Sequence, residues 1–131
     1  MDEKLYKRLN KESIFLSKKY PDHVLVVIHT SHKKSIKLDK TKYLLNYKLT
    51  LNDFLKTLYS TLNIEKNHVI YFKINNIQLT DTQMNNTIEE VYNKYVNESN
   101  NTETKNYVVL ELCRYTKYLN KTISLLSLGY F

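Results

Sequence analysis

Val24-Leu25-Val26-Val27-Ile28 is an unbroken apolar run, β-branched at every position but Leu25. A strand with one face in water alternates apolar and polar residues, whereas a short continuous run reads as a strand buried on both faces. Structure must therefore be supplied on each side of it. One supplier lies just upstream: Leu5, Leu9, Leu16 and Tyr20 fall on one helical stripe, so Asp2 to Lys19 reads as an amphipathic helix or two short ones. Pro21-Asp22 ends it, because proline disfavours helix at the preceding residue and has no N–H to donate. Ile14 and Phe15 lie off the stripe, which requires a bend or a contact on a second side.

Downstream, the polar stretch His29 to Lys37 connects to a second strand, Leu38 to Asn46. Thr50 followed by Asp53 resembles a capping box, and Leu51, Phe54, Leu55, Leu58 and Leu62 then recur at helical spacing. This is the main helix. Val69 to Ile74 reads as a third strand, Asn75-Asn76 as a turn and Ile77-Gln78-Leu79 as a short fourth strand. Thr87 to Tyr95 reads as a short helix with Ile88, Val91 and Tyr95 inward, and the polar, aperiodic stretch Asn97 to Asn106 as a surface loop. Tyr107 to Cys113 returns to strand, with Val108, Leu110 and Leu112 on one face and Glu111 on the other.

A mixed sheet of four to five strands, crossed by one main helix, satisfies the need for packed layers and short right-handed connections. The expected fold class is α+β, a ubiquitin-like β-grasp with an N-terminal helical extension. The expected divisions are the helical extension at 1–20, the ubiquitin-like domain at 21–118 and a C-terminal processing or conjugation tail at 119–131.

Composition narrows the chemistry. No apolar run approaches the roughly 18 residues of a membrane span, and Met1 to Leu5 lacks the apolar core of a signal peptide, so the cytosol is the expected compartment. A single cysteine, Cys113, cannot form an internal disulfide. The net charge of +7 would suit an acidic partner, but eighteen lysines stand against two arginines. Neither Arg8 nor Arg114 has an arginine neighbour to build phosphate or guanine forks, so nucleic acid is not expected. Lysine excess, with no alanine, reads as AT-rich codon bias. Cys113 at a strand end has no adjacent base to activate it and reads as an inert thiol. His29 and His32 lack the cysteines or carboxylates of a metal site, and one glycine excludes a phosphate-binding glycine loop. No catalytic residue, metal or cofactor is expected.

The one glycine is Gly129, in Leu128-Gly129-Tyr130-Phe131. A residue without Cβ fits a narrow protease channel and presents an unhindered carboxyl, so Gly129 is a candidate processing and conjugation site.

The motifs Lys18-Lys19-Tyr20-Pro21-Asp22, Leu38 to Leu44, Leu49-Thr50 with Phe54, Phe72 to Asn76, and Thr87-Ile88 with Val91-Tyr92 stand in one order along the chain. In that order and spacing, from about Tyr6 to Cys113, the chain resembles the autophagy-related protein 8 family, the GABARAP-type ubiquitin-like autophagy modifiers. The resemblance implies a non-enzymatic modifier. A processing cysteine protease would trim its tail, E1-like and E2-like conjugation enzymes would carry it, and phosphatidylethanolamine would receive it. A lipidated pool on autophagic or related membranes would accompany the cytoplasmic one, with the protein itself monomeric. Receptors with aromatic-x-x-aliphatic motifs would add a strand at the edge of the second strand.

Carried over by residue, the resemblance implies an aromatic pocket of Glu12, Leu16, Leu25, Lys42, Leu44 and Tyr107. The aliphatic pocket would use Tyr43, Leu45, Leu49, Phe54 and Leu58, while Lys40 and Lys42 would meet acidic residues of the receptor. Leu16, Leu25, Phe54 and Leu58 also read as ordinary core. Three positions depart from the family pattern: Leu25 and Asn46 stand where proline is usual, and Thr61 where a basic residue is usual. The family's terminal glycine would fall near Leu119, with an aromatic at Tyr118, so Gly129 stands ten residues further on. Ile123, Leu125, Leu126 and Leu128 make that tail apolar enough to fold back on the body. Two alternatives remain open: an unconjugated interaction module, and an autophagy-related protein 12-like modifier attached to a protein.

Overall fold

The structure is a computed structural model describing residues 3–30, 36–98 and 106–116. In chain order it runs α1 (Glu3–Lys19), β1 (His23–His29), β2 (Lys42–Asn46), α2 (Leu51–Thr61), β3 (His68–Ile74), β4 (Ile77–Gln78), α3 (Asp81–Met84), α4 (Ile88–Glu98) and β5 (Tyr107–Thr116). One five-stranded sheet has the order β2-β1-β5-β3-β4. β1 and β5 are parallel; the other pairs are antiparallel. This is the mixed sheet and helix arrangement of the ubiquitin-like β-grasp, with a helix at the N-terminus.

β1 feeds two cores at once. Val24, Val26 and Ile28 enter the main core with Phe54, Leu58, Phe72 and Leu110. Leu25 and Val27 enter a smaller cluster with Leu9 and Tyr107, against which Leu16 and Val109 pack. Alternation along a strand sends neighbouring residues to opposite faces, so α1 lies on one side of the sheet and α2 on the other.

α2 starts at a capping box: the Asp53 amide donates to Thr50 Oγ1 at 3.1 Å, and the Thr50 amide donates to Asp53 Oδ2 at 3.3 Å. The same device recurs at Thr80 with Gln83, opening α3, and at Thr87 with Glu90, opening α4. The starts of α2 and α4 are stitched together by the Ile88 amide donating to the Leu49 carbonyl at 2.7 Å and the Leu51 amide donating to the Asn86 carbonyl at 3.1 Å. Positive φ angles fall at Asn63, Asn75 and Asn76. Asparagine tolerates that region better than other side-chain-bearing residues, and two in succession form the tight turn between β3 and β4.

Several expectations are corrected. α1 buries Leu9, Ser13 and half-buries Leu16, whereas Leu5 and Tyr20 are exposed, because the helix meets the sheet only over its middle. Ile14 and Phe15 face outward, Phe15 with 63% exposure. β2 begins at Lys42 rather than Leu38. Ile36 and Leu38 instead turn into the main core, past the end of the β1 ladder. α3 is an added turn of helix, and Asn97 and Glu98 belong to α4 rather than to a loop. β5 continues to Thr116 because β3 supplies partners for Arg114, Tyr115 and Thr116, so Cys113 lies within the strand. His32, residues 99–105 and the tail with Tyr118, Leu119 and Gly129 lie outside the described residues.

Phe54 stacks on Phe72 at 5.6 Å and meets Tyr43 edge-on at 5.1 Å. Truncating it empties the centre of the main core, so Phe54→Ala should lower unfolding stability by about 3–5 kcal/mol, read by urea denaturation.

Candidate functional site

Among the described residues β2 is the outermost strand beside β1, and its bonding pattern pairs it along one edge only. The register runs from His23 opposite Asn46 to Val27 opposite Lys42. Beyond its ends, the Ile28 amide donates to the Thr41 carbonyl and the Tyr47 amide to the Asp22 carbonyl, both at 2.8 Å. Bonded positions in an antiparallel pair recur at every second residue. Tyr43 and Leu45 therefore bond to β1, and the amides and carbonyls of Lys42, Leu44 and Asn46 point away from it. Asn46 Oδ1 accepts the Lys48 amide at 2.9 Å and closes the strand.

The side chains of β2 divide by the same alternation. Lys42 and Leu44 lie opposite Val27 and Leu25, on the α1 side. There Lys42 Nζ donates to Glu12 Oε2 at 2.8 Å, bridging β2 to α1 above the cluster of Leu9, Leu25, Val27 and Tyr107. Ser13, whose hydroxyl donates to the Asn106 carbonyl, ties α1 to the start of β5 beside this cluster. Tyr43 and Leu45 face the main core, with Leu49 packed alongside. Lys40 Nζ sits 4.8 Å over the Tyr43 ring.

The residues expected at the site are thus brought together in two groups flanking β2, but at different depths. Leu25, Tyr107, Phe54 and Leu58 are buried, with at most 3% exposure, and form floors. Glu12, Leu16, Lys42 and Leu44 on one side, and Tyr43, Leu45 and Leu49 on the other, are half-buried walls that an incoming chain can touch. Lys40 is exposed above them. Leu9, Val27 and Ser13 also stand at the floor; the doubly buried run of β1 signals Val27, and the spacing of Leu9, Ser13 and Leu16 on one helix face signals the other two. Thr61 is exposed on α2, its hydroxyl turned onto the Thr57 carbonyl at 3.0 Å. A separate cavity of about 240 Å³ lies at the opposite edge of the sheet, lined by Leu51, Ile74, Ile77, Val91 and Tyr95.

Cys113 Sγ lies 3.6 Å from Glu111 Oε2, and burial followed by that carboxylate pushes the thiol above its usual value. That is the reverse of an activated nucleophile. Among the described residues no three His, Cys, Asp or Glu side chains cluster as a metal site.

Burial also raises the phenols of Tyr43, Tyr71 and Tyr92. Each group prefers its neutral form in the folded protein, so the folded state holds its proton more tightly than the unfolded chain. Their stabilisation should be full below the ordinary values of 9.0 for the thiol and 10.0 for the phenols, and should fall as pH rises beyond them. Urea midpoints measured between roughly pH 8 and pH 11 should decline toward the alkaline end.

A family model described as "Autophagy protein Atg8 ubiquitin like" matches residues 7–110. Among solved structures, Trypanosoma brucei ATG8 is similar with a TM-score of 0.68 and 14% identity, over 85% of this chain and 89% of that one. Plasmodium falciparum Atg8, solved in complex with a Plasmodium falciparum Atg3 peptide, gives a TM-score of 0.65 and 19% identity over 82% of this chain and 89% of that one. At these identities the structural likeness speaks to the fold alone.

Proposed function

As this chain belongs to the Atg8 family of ubiquitin-like autophagy proteins, we propose that it works as a conjugated modifier that recruits receptors by strand addition. The observation that carries the recruiting half is the edge of β2 set between two groups of half-buried side chains, Glu12, Leu16, Lys42 and Leu44 on one face and Tyr43, Leu45 and Leu49 on the other. A peptide laid along Lys42, Leu44 and Asn46 would extend the sheet, and its residues would alternate between the two faces. Residues three apart differ by an odd number and so point to opposite faces. An aromatic-x-x-aliphatic motif therefore meets the α1-side group of Leu16, Lys42 and Leu44 with one side chain. With the other it meets the α2-side group of Tyr43, Leu45 and Leu49.

Acidic residues flanking such a motif would compete with Glu12 for Lys42 and draw Lys40 from the Tyr43 ring. By likeness to the Plasmodium protein, whose solved complex holds an Atg3 peptide, an E2-like enzyme would be a further partner. In the conjugating half, a cysteine protease removes Tyr130-Phe131, E1-like and E2-like enzymes carry Gly129, and phosphatidylethanolamine accepts it. The protein would then divide between a cytoplasmic pool and a lipidated pool on autophagic membranes.

Two measurements test the halves separately. Fluorescence anisotropy with an aromatic-x-x-aliphatic peptide should show binding that Leu44→Asp weakens at least about tenfold, or about 1.4 kcal/mol. Unchanged affinity would remove the edge from the reading. Incubation with the processing protease, E1-like and E2-like enzymes and phosphatidylethanolamine vesicles should yield lipid on Gly129 by mass spectrometry, abolished by Gly129→Ala. An uncleaved tail with intact peptide binding would select the unconjugated module, and transfer to a protein in place of lipid would select the autophagy-related protein 12-like role.

A further inference from the structure

The edge of the sheet opposite β2 has a hollow of its own. Among the described residues β4 is the last strand there, and the cavity of about 240 Å³ takes its lining from the start of α2, the β3–β4 turn, α3 and α4. Main-chain bonds hold its walls. The Leu79 amide donates to the Phe72 carbonyl and the Leu51 amide to the Asn86 carbonyl, both at 3.1 Å. Asn75, at positive φ, fixes the turn, and Val91, Lys94 and Tyr95 share one face of α4 by their spacing of three and four. A concavity built this way stands open before any ligand arrives, as small-molecule sites usually do.

Its lining selects a ligand by chemistry. Leu51, Ile74, Ile77, Leu79, Val91 and Tyr95 make most of it apolar. Ile77 stands 70% exposed at the lip, so a chain laid against it removes aliphatic surface from water. Lys94 is the one charged residue of the lining, and among the described residues no carboxylate lines the hollow with it. Gln83 Oε1 already accepts the Thr80 amide at 2.9 Å, which leaves the Gln83 carboxamide N–H groups to donate. Lys94 and Gln83 thus offer donors around a single positive charge. A cation would meet no counter-charge, and a phosphate dianion or nucleotide would meet only one lysine. An anion of one charge with an apolar chain matches both parts of the lining. The volume is about eight times the roughly 30 Å³ of a water molecule, room for a chain of about eight carbons.

We propose that this hollow is a binding site for a medium-chain alkyl carboxylate, whose chain lies against Ile74, Ile77, Leu79 and Val91 and whose carboxylate accepts from Lys94 Nζ and the Gln83 carboxamide. The site goes beyond the proposed function. It lies at the other edge of the sheet from β2, so both can be occupied in one molecule and neither depends on the other.

Octanoate, titrated into the whole chain at neutral pH and followed by amide proton–nitrogen NMR, should give saturable shifts confined to residues 74–79, 83–86 and 91–95. Octanol carries the same length of chain without the charge and should shift the same amides more weakly. Lys94→Gln, at an exposed position, should weaken octanoate binding about fivefold, the weight of a half-solvated charge pair, and leave octanol unchanged. Ile77→Asp, also exposed, should abolish saturation by either, while the rest of its spectrum reports that the fold is kept. Shifts that never saturate, or that spread over the surface, would overturn the proposal. So would octanoate affinity that Lys94→Gln leaves intact, since the chain alone would then be recognised. Shifts centred on β2 would put the ligand at the strand edge and overturn it as well.

Discussion

The double burial of β1 is the constraint from which the rest of the architecture follows. Five consecutive apolar residues cannot face water on either side, so one layer must cover Val24, Val26 and Ile28 and another must cover Leu25 and Val27. α2 with α4 answers the first demand, and α1 the second. β5 takes one edge of β1 through a parallel register that only a long crossover allows. β2 takes the other edge and, among the described residues, no strand pairs beyond it. A peripheral strand between helices on opposite faces then carries half-buried side chains on both of its faces. The candidate binding surface is a consequence of how the centre of the sheet is satisfied.

Charged contacts around that edge have the character of placeholders. The Glu12–Lys42 pair is short at 2.8 Å, yet both side chains are more than a third exposed. An ion pair so solvated is worth about 0–1 kcal/mol. The Lys40 contact with Tyr43 is of the same weak, exposed kind. Both orient a lysine without committing it, so a carboxylate on an incoming peptide replaces a similar interaction at small net cost. On the proposed reading, apolar contacts on either side of β2 would supply affinity, and the lysines would bias the choice toward acidic sequences.

Direction was legible in the sequence; depth was not. The unbroken run at β1, the leucine spacing of α2 and the alternation in β5 reveal which face each residue takes, because these periods belong to the local backbone. How deep a residue lies depends on where a helix crosses the sheet, a tertiary quantity. Leu5 on α1 and Tyr20 just after its end continue the stripe of Leu9, yet they overhang the contact at its two ends, and Tyr20 settles edge-on against His23 at 5.9 Å. Ser13 is polar by type and buried by position because its hydroxyl finds the Asn106 carbonyl. For the same reason Leu25, Tyr107, Phe54 and Leu58, all anticipated at the site, form its floors. The stitching of α2 to α4 has no signature beyond its threonine caps.

The described turns sharpen the question posed by the chain's one glycine. Left-handed backbone costs most residues about 1–2 kcal/mol, and glycine is the usual relief. Here Asn63, Asn75 and Asn76 take those positions instead. The described fold thus meets its left-handed requirements with asparagine, even where two successive residues need it. A glycine in Leu128-Gly129-Tyr130-Phe131 is not explained by turn geometry elsewhere in the chain. Asparagine can substitute for glycine in backbone angle but not in bulk next to the carbonyl carbon. A role in which a catalytic group must approach that carbonyl is one that asparagine cannot fill, and this distinction gives weight to reading Gly129 as a site of chemistry.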